Sequence, residues 1–259
     1  MEAPHDTLYD MHCHLGFAAN AAEVAADAAE RGDLRALSCT VTPAEYEQQR
    51  AQLASFPFAR VGLGLHPWWV ADGRCDEAAV ERFCALAPQE RFIGEVGLEL
   101  TSRYGAPEQR ERQQAALARA LAACNEGPDG KLVSVHAVRA TEPLLDALEA
   151  AGTCRRHVVA FHWYSDTPEG LKRAVGMGCR FSVGSYMLET RRGREYARII
   201  PEAQLLLETD APSRPGKLWS AELWAAQLRL GLRELARIRD VEEAELAERL
   251  AATSARLLG

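Results

Sequence analysis

Lys131-Leu132-Val133-Ser134-Val135-His136 and His157-Val158-Val159-Ala160-Phe161-His162 are two short apolar runs, with a helical stretch at about 141–150 between them. Both are short and almost uniformly apolar, as strands buried on both faces are. Strand, helix, strand in that order needs a crossover, which makes the two strands parallel. The same alternation continues in both directions. Strands are expected at about 7–12, 35–41, 59–65, 91–96, 131–136, 157–162, 179–183 and 204–209. Helices are expected at about 20–31, 43–54, 76–87, 107–124, 141–150, 167–176, 189–198 and 219–237. Thr42-Pro43, Ala106-Pro107 and Thr167-Pro168 mark helix starts, because proline suits the first helical position. Eight such units predict an α/β fold, a (β/α)8 TIM barrel, with an extra C-terminal helix at about 241–256 packed outside. A doubly wound open sheet is the alternative.

The chain has 259 residues, which suits one barrel domain over 1–259. Apolar residues make up 47% and charged residues 26%, which excludes a disordered, collagenous or disulfide-scaffold chain. The net charge of −7 argues against a passive nucleic-acid coat, but not against a nuclease, whose bound cations supply local positive charge. No apolar run approaches membrane-spanning length, and the first residues carry no signal-peptide pattern. Seven cysteines without a C-x-x-C pair suit reduced thiols. A cytoplasmic protein, monomeric and without a membrane partner, is expected.

The chemistry gathers at strand ends. The first strand closes with Tyr9-Asp10-Met11-His12-Cys13-His14. Side chains alternate along a strand, so His12 and His14 point one way and Cys13 the other. Two imidazoles there can ligate a divalent metal, although packed histidines share this spacing. Ile93-Gly94-Glu95-Val96-Gly97-Leu98 puts a carboxylate at the end of an apolar run; its two oxygens can bridge two cations, or it can turn to solvent or pair with an arginine. His136 and His162 end consecutive strands, whereas His157 begins one and has no assigned role. Leu205-Leu206-Leu207-Glu208-Thr209-Asp210-Ala211-Pro212 runs into two acids. Asp210 is placed to reach the barrel mouth as ligand and proton acceptor. Glu208 is either an orienting residue behind Asp210 or a ligand histidine, or half of an ion pair. His66, in Gly64-Leu65-His66-Pro67, is a substrate-side or supporting group, or part of a turn fixed by Pro67. In a barrel these groups share the C-terminal face, where active sites sit. His12, His14, Glu95, His136, His162 and Asp210 would together hold two divalent ions, with Zn, Mn, Fe and Co suited better than Mg.

The segments Asp10-Met11-His12-Cys13-His14-Leu15, Gly64-Leu65-His66-Pro67, Gly94-Glu95-Val96-Gly97-Leu98, Val135-His136, His162 with Ser165, and Leu207-Glu208-Thr209-Asp210-Ala211-Pro212 resemble the TatD family of metal-dependent hydrolases. The resemblance implies an amidohydrolase-like barrel. It implies one ion among His12, His14, Glu95 and Asp210, and another among Glu95, His136 and His162. It also implies deoxyribonuclease activity on phosphodiester bonds, often from the 3′ end. Glu95 would stand where related barrels have a carbamylated lysine. The chain departs from the family pattern at Glu99, where Asp is usual, and at Trp163-Tyr164-Ser165-Asp166, where Cys-Phe-Ser-Gly is common. It departs again after Pro212 and near the C-terminus.

The expected chemistry is hydrolysis of DNA or a small phosphodiester by a metal-activated water, with Asp210 and Glu95 as the catalytic pair. Arg139, three residues past His136, is the leading phosphate contact, ahead of Arg103, Arg191, Arg192, Arg194, Arg214 and Lys217. Trp68, Trp69, Trp163 and Tyr164 either stack on a base or anchor loops. The altered loops keep open a barrel hydrolase for an amide, lactone or ester. A silent barrel that only binds is a third reading, against which the full ligand set argues.

Overall fold

The computed structural model describes residues 7–259. Eight strands follow one another around a single sheet: β1 (Leu8–Cys13), β2 (Leu34–Cys39), β3 (Ala59–Leu65), β4 (Phe92–Glu99), β5 (Leu132–Val138), β6 (Val158–His162), β7 (Arg180–Val183) and β8 (Leu205–Leu207). Every neighbouring pair is parallel. The seam between β8 and β1 is closed by the Asp210 amide donating to His12 O (2.9 Å) and the His14 amide to Ala211 O (2.9 Å). The expected barrel is therefore the observed one, and the open-sheet alternative falls away.

The helices are α1 (Ala21–Arg31), α2 (Pro43–Gln52), α3 (Pro67–Ala71), α4 (Glu77–Leu86), α5 (Pro107–Glu126), α6 (Thr141–Ala151), α7 (Thr153–Arg156), α8 (Pro168–Gly176), α9 (Ser185–Glu189), α10 (Arg191–Ile199), α11 (Ala221–Arg239) and α12 (Glu243–Leu258). The proline starts hold. Thr42 Oγ1 accepts from the Glu45 amide and Thr167 Oγ1 from the Gly170 amide, satisfying donors that a first turn leaves open. Two expected boundaries need correction. The helix expected at 189–198 is α10, which starts at Arg191 because Thr190 caps it by accepting from the Gly193 amide, and the short α9 precedes it. The eighth strand is regular only over Leu205–Leu207, since Asp210 is left-handed (φ 52°). The short helices α3 and α7 carry too few turns to show a period.

Two cores divide the interior. The larger lies between sheet and helices and includes Val24, Phe83, Leu121, Leu144, Phe181 and Trp224. The smaller, with Tyr9, Met11, Leu37, Leu132, Ala160 and Leu206, fills the N-terminal end of the barrel axis and is capped by Leu258 of α12. Arg60 Nε donates to Leu258 O (3.3 Å) and the Arg91 guanidinium to the Leu257 and Gly259 carbonyls (both 3.2 Å), pinning the end of that helix beneath the barrel. Cys13 packs outside the strands, as alternation requires. All seven cysteines are free thiols. No helix among the described residues is long and apolar enough to cross a membrane.

Candidate active site

Residues in the upper half of the barrel are polar yet buried. Register shifts occur between Asp10 and Cys13 in β1 and between Ile93 and Val96 in β4. Such irregularities re-aim side chains, and here they deliver His12 and Glu95 to the axis. Gly97 (φ 149°) is required beside Glu95: a Cβ there would stand 2.0 Å from His136 O, so only glycine lets β4 lie this close to β5. Gly64 does the same for β3, since its Cβ would meet Thr40 O at 1.7 Å.

Glu95 is the hub. Its Oε2 lies 3.4 Å from both His12 Nε2 and His14 Nε2. Its Oε1 lies 2.7 Å from His162 Nε2, 2.8 Å from His136 Nδ1 and 3.3 Å from His66 Nε2. Asp210 Oδ1 completes the first group, 3.3 Å from His14 Nε2 and 3.7 Å from His12 Nε2. Among the described residues three groupings are close enough to hold a metal: His12, His14 and Asp210; His12, Glu95 and His162; and His66, Glu95 and His136. The structure thus brings His12, His14, Glu95, His136, His162, Asp210 and His66 together.

The outer atoms of these rings are held by a second set of residues. His14 Nδ1 donates to Cys39 O (3.0 Å), so its Nε2 faces the cavity. Ser134 Oγ lies 2.7 Å from His12 Nδ1. Glu99 Oε2 sits 2.8 Å from His136 Nε2 and accepts from Trp68 Nε1 (3.1 Å). His66 Nδ1 accepts the Trp68 amide at the start of α3 (3.1 Å), which leaves its proton on Nε2, aimed at Glu95.

The electrostatics show what the site needs. Burial works against every charge here. At His12 and His66 burial dominates and both are pushed down to about 4. At His14 burial is overcome by the hydrogen bond to Asp210 and the charge of Glu95, and it rises to about 9. At His136 it is overcome by hydrogen bonds to Glu95 and Glu99, with the same result, about 9. Burial is likewise outweighed at Glu95, where the charges of His66 and His162 and hydrogen bonds from His12 and His136 hold the carboxyl well below its usual range. Asp210 is held low by His14, His162 and His12 despite its burial. One proton in each half therefore stands where positive charge is demanded, and the nitrogen and carboxylate donors fit a cation in its place.

Two acids do more than the spacing predicts. Asp10 is fully buried and accepts from the amides of His12 (3.2 Å) and Thr209 (3.1 Å), Thr209 Oγ1 (2.6 Å) and Trp224 Nε1 (2.7 Å). Burial raises it to about 7, with those hydrogen bonds pulling the other way. It ties the β1–β8 seam to α11. The one signal for it was an acid inside an apolar strand, which burial makes costly without partners. Among the described residues Glu208 makes no hydrogen bond or ion pair with Asp210 or a histidine ring. It accepts from Ser182 Oγ and from the Trp163 amide (Oε1, 3.0 Å), so it fixes the turn that follows His162. It faces no cation, and burial with the charge of Asp210 nearby drives its carboxyl well up, so it is not half of an ion pair.

The cleft above Glu95 has a volume of about 70 Å3 and is walled by Phe17, Val41, Trp68, Trp69 and Ser213. Arg139 follows β5 with a left-handed backbone (φ 52°) and is exposed, outside the residues that line this cleft. Tyr164 is buried, with its hydroxyl donating to Thr167 O (2.7 Å), so it is a loop anchor and not a stacking surface.

Residues 9–259 match the family described as TatD related DNase. The 3′-5′ ssDNA/RNA exonuclease TatD of Shigella flexneri serotype 5b is 30% identical over 207 residues, covering 76% of this chain and 74% of that protein. Among solved structures, YjjV, a TatD homologue of Escherichia coli K12, superposes with a TM-score of 0.81 at 22% identity over 98% of each chain. A TatD family hydrolase of Entamoeba histolytica superposes with a TM-score of 0.78 at 14% identity, over 97% of this chain and 98% of that one. At such identities those two structures share the fold. With the match running from the first strand to the last helix, this chain belongs to the family of TatD-related DNases.

Proposed function

We propose that this protein is a two-metal nuclease that removes nucleotides from the 3′ end of single-stranded DNA or RNA. The observation that carries the reading is the division of Glu95: one oxygen faces His12 and His14, the other faces His136 and His162. The substrate class rests on family membership and on the exonuclease activity of the Shigella relative. In this reading His12, His14, Asp210 and Glu95 would hold one divalent ion, and Glu95, His136 and His162 would hold the other. Zn, Mn, Fe and Co suit this histidine-rich set better than Mg. When bound, such a pair lowers the pKa of the attacking water and neutralises charge on the phosphoryl oxygens.

The protein's own groups do the rest. Asp210, ionised and at the cleft, accepts the water proton on the carboxylate oxygen turned away from His12 and His14 and returns it to the leaving 3′ oxygen of the shortened strand. His66, neutral and held by the Trp68 amide, donates from Nε2 to a non-bridging phosphoryl oxygen. Glu99 and Ser134 keep His136 and His12 in the required orientation. Phe17, Trp68 and Trp69 exclude water from one wall of the cleft. Arg139, on the rim, meets a backbone phosphate upstream. The enzyme works as a cytoplasmic monomer, where its free thiols stay reduced.

The test is to supply Mn or Mg to the purified protein with 5′-labelled single-stranded DNA and RNA, beside a panel of lactones, esters and amides. A ladder shortening from the 3′ end is expected. Intact nucleic acid together with an opened lactone or amide would overturn the reading in favour of the other bond.

A further inference from the structure

Trp163 stands directly after His162 with φ 38°, a conformation that bulky side chains rarely adopt. Its amide is held by buried Glu208, itself fixed by Ser182. The result is to lay the indole parallel to Tyr186 of α9, with ring centroids 6.0 Å apart and planes 13° from parallel. Tyr186 is 40% exposed, the one aromatic among the large apolar side chains left open to solvent in the described residues. The indoles that line the cleft, Trp68 and Trp69, are already engaged. Arg74 covers Trp69, 4.0 Å from its ring centre, and Trp68 is tethered to Glu99. Positive charge gathers beside the open pair. Arg192 Nη1 donates to Ser165 O (3.2 Å), two residues past Trp163, and exposed Arg191 precedes it. Both open α10, where positive charge works against the helix dipole, so helix stability does not explain them.

We infer that Trp163 and Tyr186 form a stacking subsite for a nucleobase of the single strand whose phosphate enters the Glu95 centre, with Arg191 and Arg192 meeting the adjoining phosphates. This rests on the nuclease reading and adds where the strand lies: over the ends of β6 and β7, on the side of the cleft away from Trp68. Strained backbone held by a buried acid beside a reacting centre fits a ring kept at a fixed angle for a ligand. A flat aromatic pair accepts any base and carries no base-edge readout, so the subsite selects for a base being present and for single strands over duplex.

The experiment compares an oligothymidylate with the same strand made abasic at its two 3′-terminal nucleotides. Both are given to the wild-type enzyme, Tyr186→Ala and Tyr186→Phe in saturating Mn. Wild type is expected to show a KM at least tenfold lower for the base-bearing strand, in line with one stacked base. Tyr186→Ala should shrink that preference about tenfold through KM, and Tyr186→Phe should keep it. A wild-type enzyme without the preference, or a Tyr186→Ala enzyme that retains it in full, overturns the subsite and leaves the nuclease reading standing. A wild-type enzyme that cleaves neither strand overturns both.

Discussion

The two ends of the barrel are made from the same strands and differ in what fills them. At the N-terminal end Met11, Leu37, Leu132, Ala160 and Leu206 meet on the axis beneath Leu258. A step further along, Ser134, Ser182 and Glu208 replace hydrocarbon, and beyond them come His12, Glu95, His136, His162 and Asp210. Burying hydrocarbon is favourable by about 25 cal/mol per Å2. Burying paired charge is roughly neutral at best, and hydrocarbon of the same shape often does better. Stability alone would fill both ends alike. Backbone strain falls on the same side of the divide: of the four non-glycine residues with positive φ among the described residues, Arg139, Trp163 and Asp210 follow strands at the polar end, and the fourth, Asp240, ends a helix. Packing explains one end; the other requires chemistry.

If that division is right, a substitution at one end should move rate and at the other should move stability. Asp210→Asn is the severest trial. It keeps the shape but removes the proton acceptor, and kcat should fall by about 10^3-fold or more. The melting temperature should stay within about 3 °C, measured by calorimetry beside steady-state kinetics. A variant with near wild-type turnover would remove Asp210 from the mechanism. Leu206→Ala is the counterpart. It opens a cavity in the lower core and should lower unfolding free energy by about 3 kcal/mol in urea titrations, with kcat of the folded enzyme within about twofold. A large loss of kcat without loss of stability would show that the two ends are not separable.

The sequence displays these ends unequally. Apolar runs locate all eight strands, because burial on both faces leaves little choice of residue type. The ends of the apolar runs likewise locate His12, His14, Glu95, His136, His162 and Asp210, although β4 runs on to Glu99 and β5 to Val138. What spacing does not carry is direction beyond the strand. Arg139 sits on the correct rim, yet a left-handed backbone places it outside the cleft lining. His66 stands at the expected strand end, but the tautomer that makes it a donor is set by the Trp68 amide. Glu208 looks like a partner of Asp210 by parity, but its partners are Ser182 of β7 and Trp163 in the loop after β6. Asp10 is the extreme case, with donors at Thr209 and Trp224 about two hundred residues away.

Asp10 belongs to neither end, and so tests where the boundary lies. Its carboxyl gathers four donors at the one seam lacking a regular ladder. Asp10→Asn turns an NH2 toward donors that need an acceptor, which should destabilise the fold by about 2 kcal/mol in urea titrations. Because the His12 amide is among those donors, some loss of kcat should accompany it. Unchanged stability would mean that the seam is held by the Asp210–His12 and His14–Ala211 bonds alone.

Glu99 offers the smallest and most discriminating effect. It lies at the polar end but reaches the reacting centre only through the far nitrogen of His136, and the same oxygen takes the Trp68 indole N–H. Burial resists its ionisation, and hydrogen bonds from His136, Thr101 and Trp68 overcome that and keep the carboxyl below its usual range. Glu99→Gln retains an acceptor but removes the negative charge that makes His136 a stronger donor toward a cation. Loss of such a partner weakens metal binding about tenfold. The Mn concentration giving half-maximal rate should rise by that factor, with kcat at saturating Mn within about threefold and the melting temperature unchanged. A fall in kcat that added Mn does not restore would place Glu99 against the substrate itself. An unchanged Mn requirement would make its contact with His136 a matter of packing, and would draw the functional boundary inside the ring of residues that touch Glu95.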